Sequence, residues 1–173
     1  MALTTQQLQA IKADILASPD LASQPANTDG DFEIARLYNL AASPDFNVWK
    51  TKMLRHDVTD KAGPTGTTFD WGTQSGCYIQ RSQGERDCWR EIWNTSLSCD
   101  PSSPRVREAF DNIFSGAGAG AQNNRAHILA MSRRLASRVE KLLATGTGST
   151  ASPATMGYEG PINYRDIGTA RAS

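Results

Sequence analysis

The stretch RSQGERDCWREIWN, residues 81–94, constrains the chain most, because it joins a helix start signal to two tryptophans one turn apart. Ser82 and Glu85 fit a capping box, in which the hydroxyl accepts from the backbone three residues on and the carboxylate reaches back to the cap amide. The helix is therefore expected to begin at Ser82. Cys88, Trp89, Ile92 and Trp93 then fall on one apolar stripe, while Arg86, Asp87, Arg90 and Glu91 face mostly away. Large aromatics bury roughly 150–250 Å² each, so this stripe is expected at the centre of a core that includes Trp89, Ile92, Trp93, Phe110 and Leu135. It carries no combination of nucleophile, base and orienting group.

Other cap signals divide the chain into helices. Thr4 and Gln7 form a T-x-x-Q box ahead of Leu8, Ile11, Ile15 and Leu16, and the helix should stop at Ser18-Pro19, since a residue before proline leaves the helical region. Residues 18–25 read as a connection. A second helix starts at Asp29 to Asp31 and runs to Leu40, apolar over more than half its circumference and so buried from several sides. A short third follows Ser43-Pro44, with Phe46, Val48, Trp49 and Met53. Residues 69–80 support helix or strand, with Gly72 and Gly76 weakening both; helix is the expectation. After a polar loop from Asn94 to Ser103, Ser103-Pro104 opens a helix with Val106, Phe110, Ile113 and Phe114, which Gly116 ends. GAGAGA, residues 116–121, follows a helix and lacks the lysine and hydroxyl of a phosphate loop, which makes it a flexible joint.

Asn123 or Asn124 then caps an expected long helix reaching about Ala144, with Ile128, Met131, Leu135, Val139 and Leu142 as its seam. Arg125, Arg133, Arg134, Arg138 and Lys141 would form a basic face on it, opposed only by Glu140. The remaining residues, 145–173, have no helical period and few apolar side chains; Tyr158, Ile162, Tyr164 and Ile167 are spaced as anchors of an extended arm that orders on a partner. The expectation is thus a mainly α protein: a compact bundle of five to six helices over 1–144 and an extended C-terminal arm over 145–173.

Charge and cysteine content narrow the function classes. The 18 basic and 18 acidic residues cancel, which disfavours wholesale attraction to DNA or an anionic membrane and leaves any charge-based partner to a local patch. No apolar run nears the roughly 20 residues that span a bilayer, and no signal-peptide pattern opens the chain. The reading is a protein made in the cytoplasm that leaves only inside a larger particle. Cys77, Cys88 and Cys99 lack the CxxC pairs and histidines of a zinc site. On one helix, Cys77 and Cys88 would be about 16 Å apart, beyond disulfide reach. Cys88, on the apolar stripe, is expected to be buried and free, Cys99 to be displayed in a polar loop, and Cys99 or Cys77 to make an intersubunit disulfide. His56-Asp57 suggests a metal-dependent phosphohydrolase pair, but His127 is the only other histidine. Neither a catalytic constellation nor a metal site or cofactor is expected; Lys61 to Thr68 reads as a mobile loop.

The strings LTTQQLQAIKADILASPDLA, DGDFEIARLYN, FNVWKT, RSQGERDCW, REAFDNIFSG and KLLATGTGSTASPATMGYEGPINY together resemble a family of small proteins encoded among the structural genes of tailed bacteriophages and prophages. The resemblance covers nearly the whole chain, with RSxGERDxW and ATGTGxxASPAT its most specific parts; the three cysteines are not among its motif positions. It implies a virion or virion-assembly protein without enzymatic activity. A helical body with a C-terminal arm is also similar in architecture to head-to-tail adaptors, which form a ring beneath the portal. The expectation is a homo-oligomeric neck subunit that contacts the portal and other neck or tail proteins, and DNA in passing without sequence specificity. A tail-completion or capsid-decoration protein and a DNA-packaging or DNA-binding factor are the alternatives.

Overall fold

In the computed structural model, which describes residues 2–93 and 97–173, half of the residues are helical and 9% are in strands, so the protein is mainly α. In chain order the elements are helices α1 (Thr5–Ala17), α2 (Pro19–Ala22) and α3 (Thr28–Tyr38), strands β1 (Asn47–Trp49) and β2 (Met53–Leu54), and helices α4 (Arg55–Asp60) and α5 (Gln83–Ile92). Strand β3 (Ser98–Cys99), helices α6 (Pro104–Ile113) and α7 (Ala119–Met131), strand β4 (Arg133–Leu135), and helices α8 (Arg138–Leu143) and α9 (Tyr164–Ala172) complete the order. The residues form two units: one combines the chain through Val48 with Leu135–Ser173, and the other is Trp49–Arg134. This replaces the expected division at residue 144.

The first unit is discontinuous in sequence. The Thr4 and Gln7 box caps α1. Pro19 does more than end that helix, since it occupies the first turn of α2. Asn27, rather than an aspartate, caps α3 by accepting from Gly30 N–H (2.9 Å). Ile34 and Tyr38 face inward from α3, but Phe32 is 53% exposed, so the helix is covered on one side only. The core joins Ile11, Ile15, Leu21, Ile34, Tyr38 and Val139 to Tyr158, Ile162 and Ile167.

Residues 145–173 are therefore not an extended arm awaiting a partner. Thr145 and Thr155 exchange backbone hydrogen bonds (2.8 and 2.9 Å), and Asn163 and Asp166 form a capping box that starts α9. This helix packs on α1 and α3, with Ile167 and Ala170 buried. Ile162 is pinned by the Asn39 amide, which accepts from its N–H (3.0 Å) and donates to its carbonyl (2.9 Å). Arg171 pairs with Asp31 at 3.0 Å. Of the four expected anchors, Tyr158, Ile162 and Ile167 are buried in this core and Tyr164 is half-buried, stacked on Phe32 with 4.2 Å between ring centres.

The second unit is built round α5. The Ser82 and Glu85 box starts it, and Trp89 is fully buried at the hub of an aromatic cluster. Its ring centre lies 5.1 Å from Phe69, 5.3 Å from Trp93 and 5.6 Å from both Phe110 and Phe114. Trp93 and Phe110 are buried with it, and Ile92 packs at the edge. Leu135 does not join any such core: it is 51% exposed.

Three helix expectations fail because backbone groups find other partners, some close by in the chain and some far away in sequence. Residues 47–49 form β1 because Asn47 N–H donates to Gly148 O (2.7 Å) and Asn47 O accepts from Ala154 N–H (2.9 Å). Residues 69–80 form a loop closed by a short 3-10 turn at Tyr78–Gln80. The expected helix over 123–144 starts earlier, after Gly118, and breaks at Ser132. There the Ser132 hydroxyl bonds back to Ile128 O (2.7 Å), a local competitor of helix continuation, while Ser132 O accepts from Lys50 N–H (2.9 Å). Ser137 and Glu140 then open α8 with a capping box of their own. Nine helices result among the described residues, against five to six expected. The polar loop expected from Asn94 begins outside the described residues, and its later part contains β3, where Cys99 pairs with Met53.

Candidate functional site

The segment with no regular structure, residues 69–77, is held by a buried polar core. The Asp70 carboxylate accepts from the N–H groups of Gly72 (3.1 Å), Thr73 (2.7 Å) and Gln74 (3.0 Å), which closes the turn. The Asn124 side chain, fully buried on α7, accepts from Asp70 N–H (2.7 Å) and donates to Asp70 O (3.0 Å). The glycines of GAGAGA allow this approach. A Cβ on Gly120 would sit 2.8 Å from Asp70 Oδ2 and from Cys77 N, and one on Gly118 would sit 2.5 Å from Ser75 O. The stretch expected to be a flexible joint is instead the platform against which the loop rests.

That loop directs aromatic residues to both sides. Phe69 and Tyr78 enter the cluster round Trp89, whereas Trp71 is 40% and Ile79 59% exposed. The two lie together, since Ile79 N–H donates to Trp71 O (2.9 Å), and Trp71 meets Phe69 and Tyr78 edge-on at 4.9 and 5.0 Å. An exposed apolar ledge on a rigid mount is the chemistry of a protein contact, because its burial carries favourable free energy and little ordering cost.

The first unit carries a groove of about 420 Å³ lined by Leu37, Leu40, Leu142, Asp14, Asp20, Arg138 and Lys141 among others. Arg138 chelates Asp20, reaches Asp14 at 3.8 Å and lies over the Tyr38 ring. Its hydrogen bond, with its charge, holds the Asp20 carboxyl below the usual range. Tyr38 donates to Asp14 Oδ2 (2.8 Å); burial first, and then this bond, push its phenol well above the ordinary value. Lys141 Nζ donates to the carbonyls of Ser43 and Pro44, both at 3.3 Å. The charges here neutralise one another, and no proton-transfer pair is aimed at an open reacting position.

The expected basic face does not exist as one surface. Arg125 sits on α7 and donates to the carbonyls of Phe114 and Gly116, Arg133 and Arg134 belong to β4, and Arg138 and Lys141 line the groove on α8. Breaking the helix at Ser132 scatters what a continuous periodicity would have aligned. The cysteines also exchange roles. Cys77 and Cys99 are buried and Cys88 is exposed, with all three thiols free. Burial and, secondarily, Asp100 push the Cys99 thiol up to about 12, which disfavours its thiolate, and Cys77 is fully buried within its own chain.

The buried His127 accounts for the loop expected to be mobile. Its Nε2 donates to Val58 O (2.7 Å), leaving Nδ1 to accept from the Thr67 hydroxyl (3.1 Å), and Gly63 N–H donates to Thr67 O (2.7 Å). Among the described residues no group of three or more His, Cys, Asp or Glu side chains is arranged to hold a metal ion, and no helix is long and apolar enough to cross a membrane. No protein-family profile, curated protein or solved structure matches the chain.

Sequence reasoning missed both the Trp71 and Ile79 ledge and the Asp70 and Asn124 pair that mounts it. An aspartate followed, after Trp71, by the run Gly72, Thr73, Gln74, Ser75 and Gly76 is a turn signal in its own right, and it outweighs the aromatic content that suggested a helix.

Proposed function

We propose that this chain is a structural, non-enzymatic subunit of a tailed-bacteriophage particle, acting as a homo-oligomer in the neck between portal and tail. The observation that carries this reading is the ledge of Trp71 and Ile79, two large apolar side chains exposed side by side on a loop fixed by Asp70 and Asn124. A subunit contact needs such an anchor, presented without an ordering penalty. The motif strings that resemble phage structural proteins supply the context, and the virion is the corresponding location. Docking on a neighbour falls to this ledge, because residues 145–173 are engaged within their own unit.

The test has two arms. Mass spectrometry of gradient-purified particles should find the chain at a fixed multiple of the portal copy number, and sedimentation of the isolated protein should show an oligomer that Trp71→Ala with Ile79→Ala reduces to monomer while the helical circular dichroism is retained. Absence from purified particles, or an oligomer indifferent to both substitutions, overturns the proposal.

A further inference from the structure

The ledge of Trp71 and Ile79 carries a cation at its edge. Arg86, half-buried on α5, donates to Ile79 O (3.2 Å) and to the Gln83 side chain (3.1 Å), both of them neutral acceptors. Two ledges meeting face to face would bring two such guanidiniums together, and like charges juxtaposed in an interface oppose association. The surface best fitted to receive the ledge is therefore a different one, apolar in its floor and able to take a cation at its rim.

The groove of the first unit has both properties. Its volume of about 420 Å³ lies within the roughly 300–1,000 Å³ of sites that enclose a compact apolar group. Leu37, Leu40 and Leu142 line it, and Leu40 is 49% exposed. The charges of Asp14, Asp20, Arg138 and Lys141 cancel, so an apolar group enters without meeting a net charge. Their pairing is uneven, however. Asp14 and Asp20 share the one guanidinium of Arg138, which chelates Asp20 and lies 3.8 Å from Asp14. Lys141 instead bonds to the carbonyls of Ser43 and Pro44 and lies 5.7 Å from the centre of the Phe46 ring. The Asp20 side chain remains 51% exposed, and a second cation finds its place beside it.

We propose that the groove of one copy of this chain receives the Trp71 and Ile79 ledge of another, with Arg86 set against Asp20. The proposal rests on the reading of the ledge as a subunit contact and names the surface that it contacts. Each copy then presents one inserting and one receiving surface, so the contact passes from copy to copy until it closes, as a reciprocal pair or as a ring. Leu16, Phe32, Leu97 and Leu135 are also exposed but do not line the groove; association through any of them would not depend on Leu40.

Sedimentation of the full-length protein tests this with two variants, each checked by circular dichroism and thermal melting. Trp71→Ala with Ile79→Ala loses the ledge and keeps the groove. Leu40→Asp keeps the ledge and places a charge in the groove at an exposed side chain, and Leu40→Ser serves in its place should the melting profile change. Each variant alone should associate at least about 30-fold more weakly than the parent, the loss typical of a binding hot spot. Mixed in equal amounts they should form a one-to-one complex, because each supplies the surface that the other lacks. Arg86→Glu should weaken association as well, more at low than at high salt. A ledge variant that associates like the parent overturns the reading of the ledge and this inference with it. A monomeric ledge variant beside groove variants that still oligomerise, a mixture that stays monomeric, or a parent-like Arg86→Glu leaves the reading of the ledge standing and overturns its docking in the groove.

Discussion

Replacing Ile167 by alanine separates a C-terminal segment that belongs to the core from one that waits for a partner. Ile167 is fully buried on α9, in one cluster with Ile11, Ile34 and Tyr38. The substitution removes three carbon groups, at about 0.8 kcal/mol each, for about 2.4 kcal/mol of lost transfer free energy. A residual cavity of about 50 Å³ adds about 1 kcal/mol at about 24 cal/mol per Å³. The total, about 3–4 kcal/mol, falls within the usual range for Ile→Ala in a core and is a large share of an ordinary folding free energy. For a chain of this length it corresponds to a fall in Tm of roughly 6–16 °C. Thermal and urea unfolding of the isolated protein, followed by circular dichroism at a concentration where sedimentation shows monomer, measures it. A variant within about 0.5 kcal/mol of the parent would mean that Ile167 is not buried by its own chain, and the reasoning from the α9 packing would fail.

Two further outcomes follow from burial and charge. In the native protein a thiol reagent at pH 8 should modify Cys88 alone, with Cys77 and Cys99 reacting only after denaturation; prompt labelling of Cys99 would contradict both its burial and the rise of its thiol to about 12. Stability should fall as pH rises above about 10, where an unfolded tyrosine ionises, because the raised folded pKa of Tyr38 means that the folded state keeps a proton that the unfolded state releases. Tyr38→Phe should make this alkaline loss shallower, and an identical slope in both proteins would count against the buried bond to Asp14.

Some of this architecture is local and therefore written in short strings. A capping box needs a side chain and a backbone amide three residues apart, so Thr4 with Gln7 and Ser82 with Glu85 mark helix starts whatever the rest of the chain does. The same logic was present at Ser137 with Glu140 and at Asn163 with Asp166, but a regular apolar spacing masked the first and an apparent lack of periodicity masked the second. Trp89 and Trp93 were likewise marked by size and spacing, since indoles one turn apart on an amphipathic helix have few ways of escaping water other than a shared core.

The amino-acid sequence by itself determined the mainly α character, the principal helix starts and the aromatic hub. Only the tertiary structure decided which apolar residues meet and where backbone groups find remote partners. Asn39 holding Ile162, Asn124 holding Asp70 and Lys50 bonding to Ser132 O are all non-local. Such pairings turn a sparse tail into part of a core, a glycine run into a docking platform and one long helix into two. They also decide charge placement. Arg134 and Arg138, four positions apart, look like neighbours on a helix of uniform period, whereas Lys50 and Arg134, 84 positions apart, share one electrostatic environment. Periodicity measures angle along one element, but a surface is set by which elements touch.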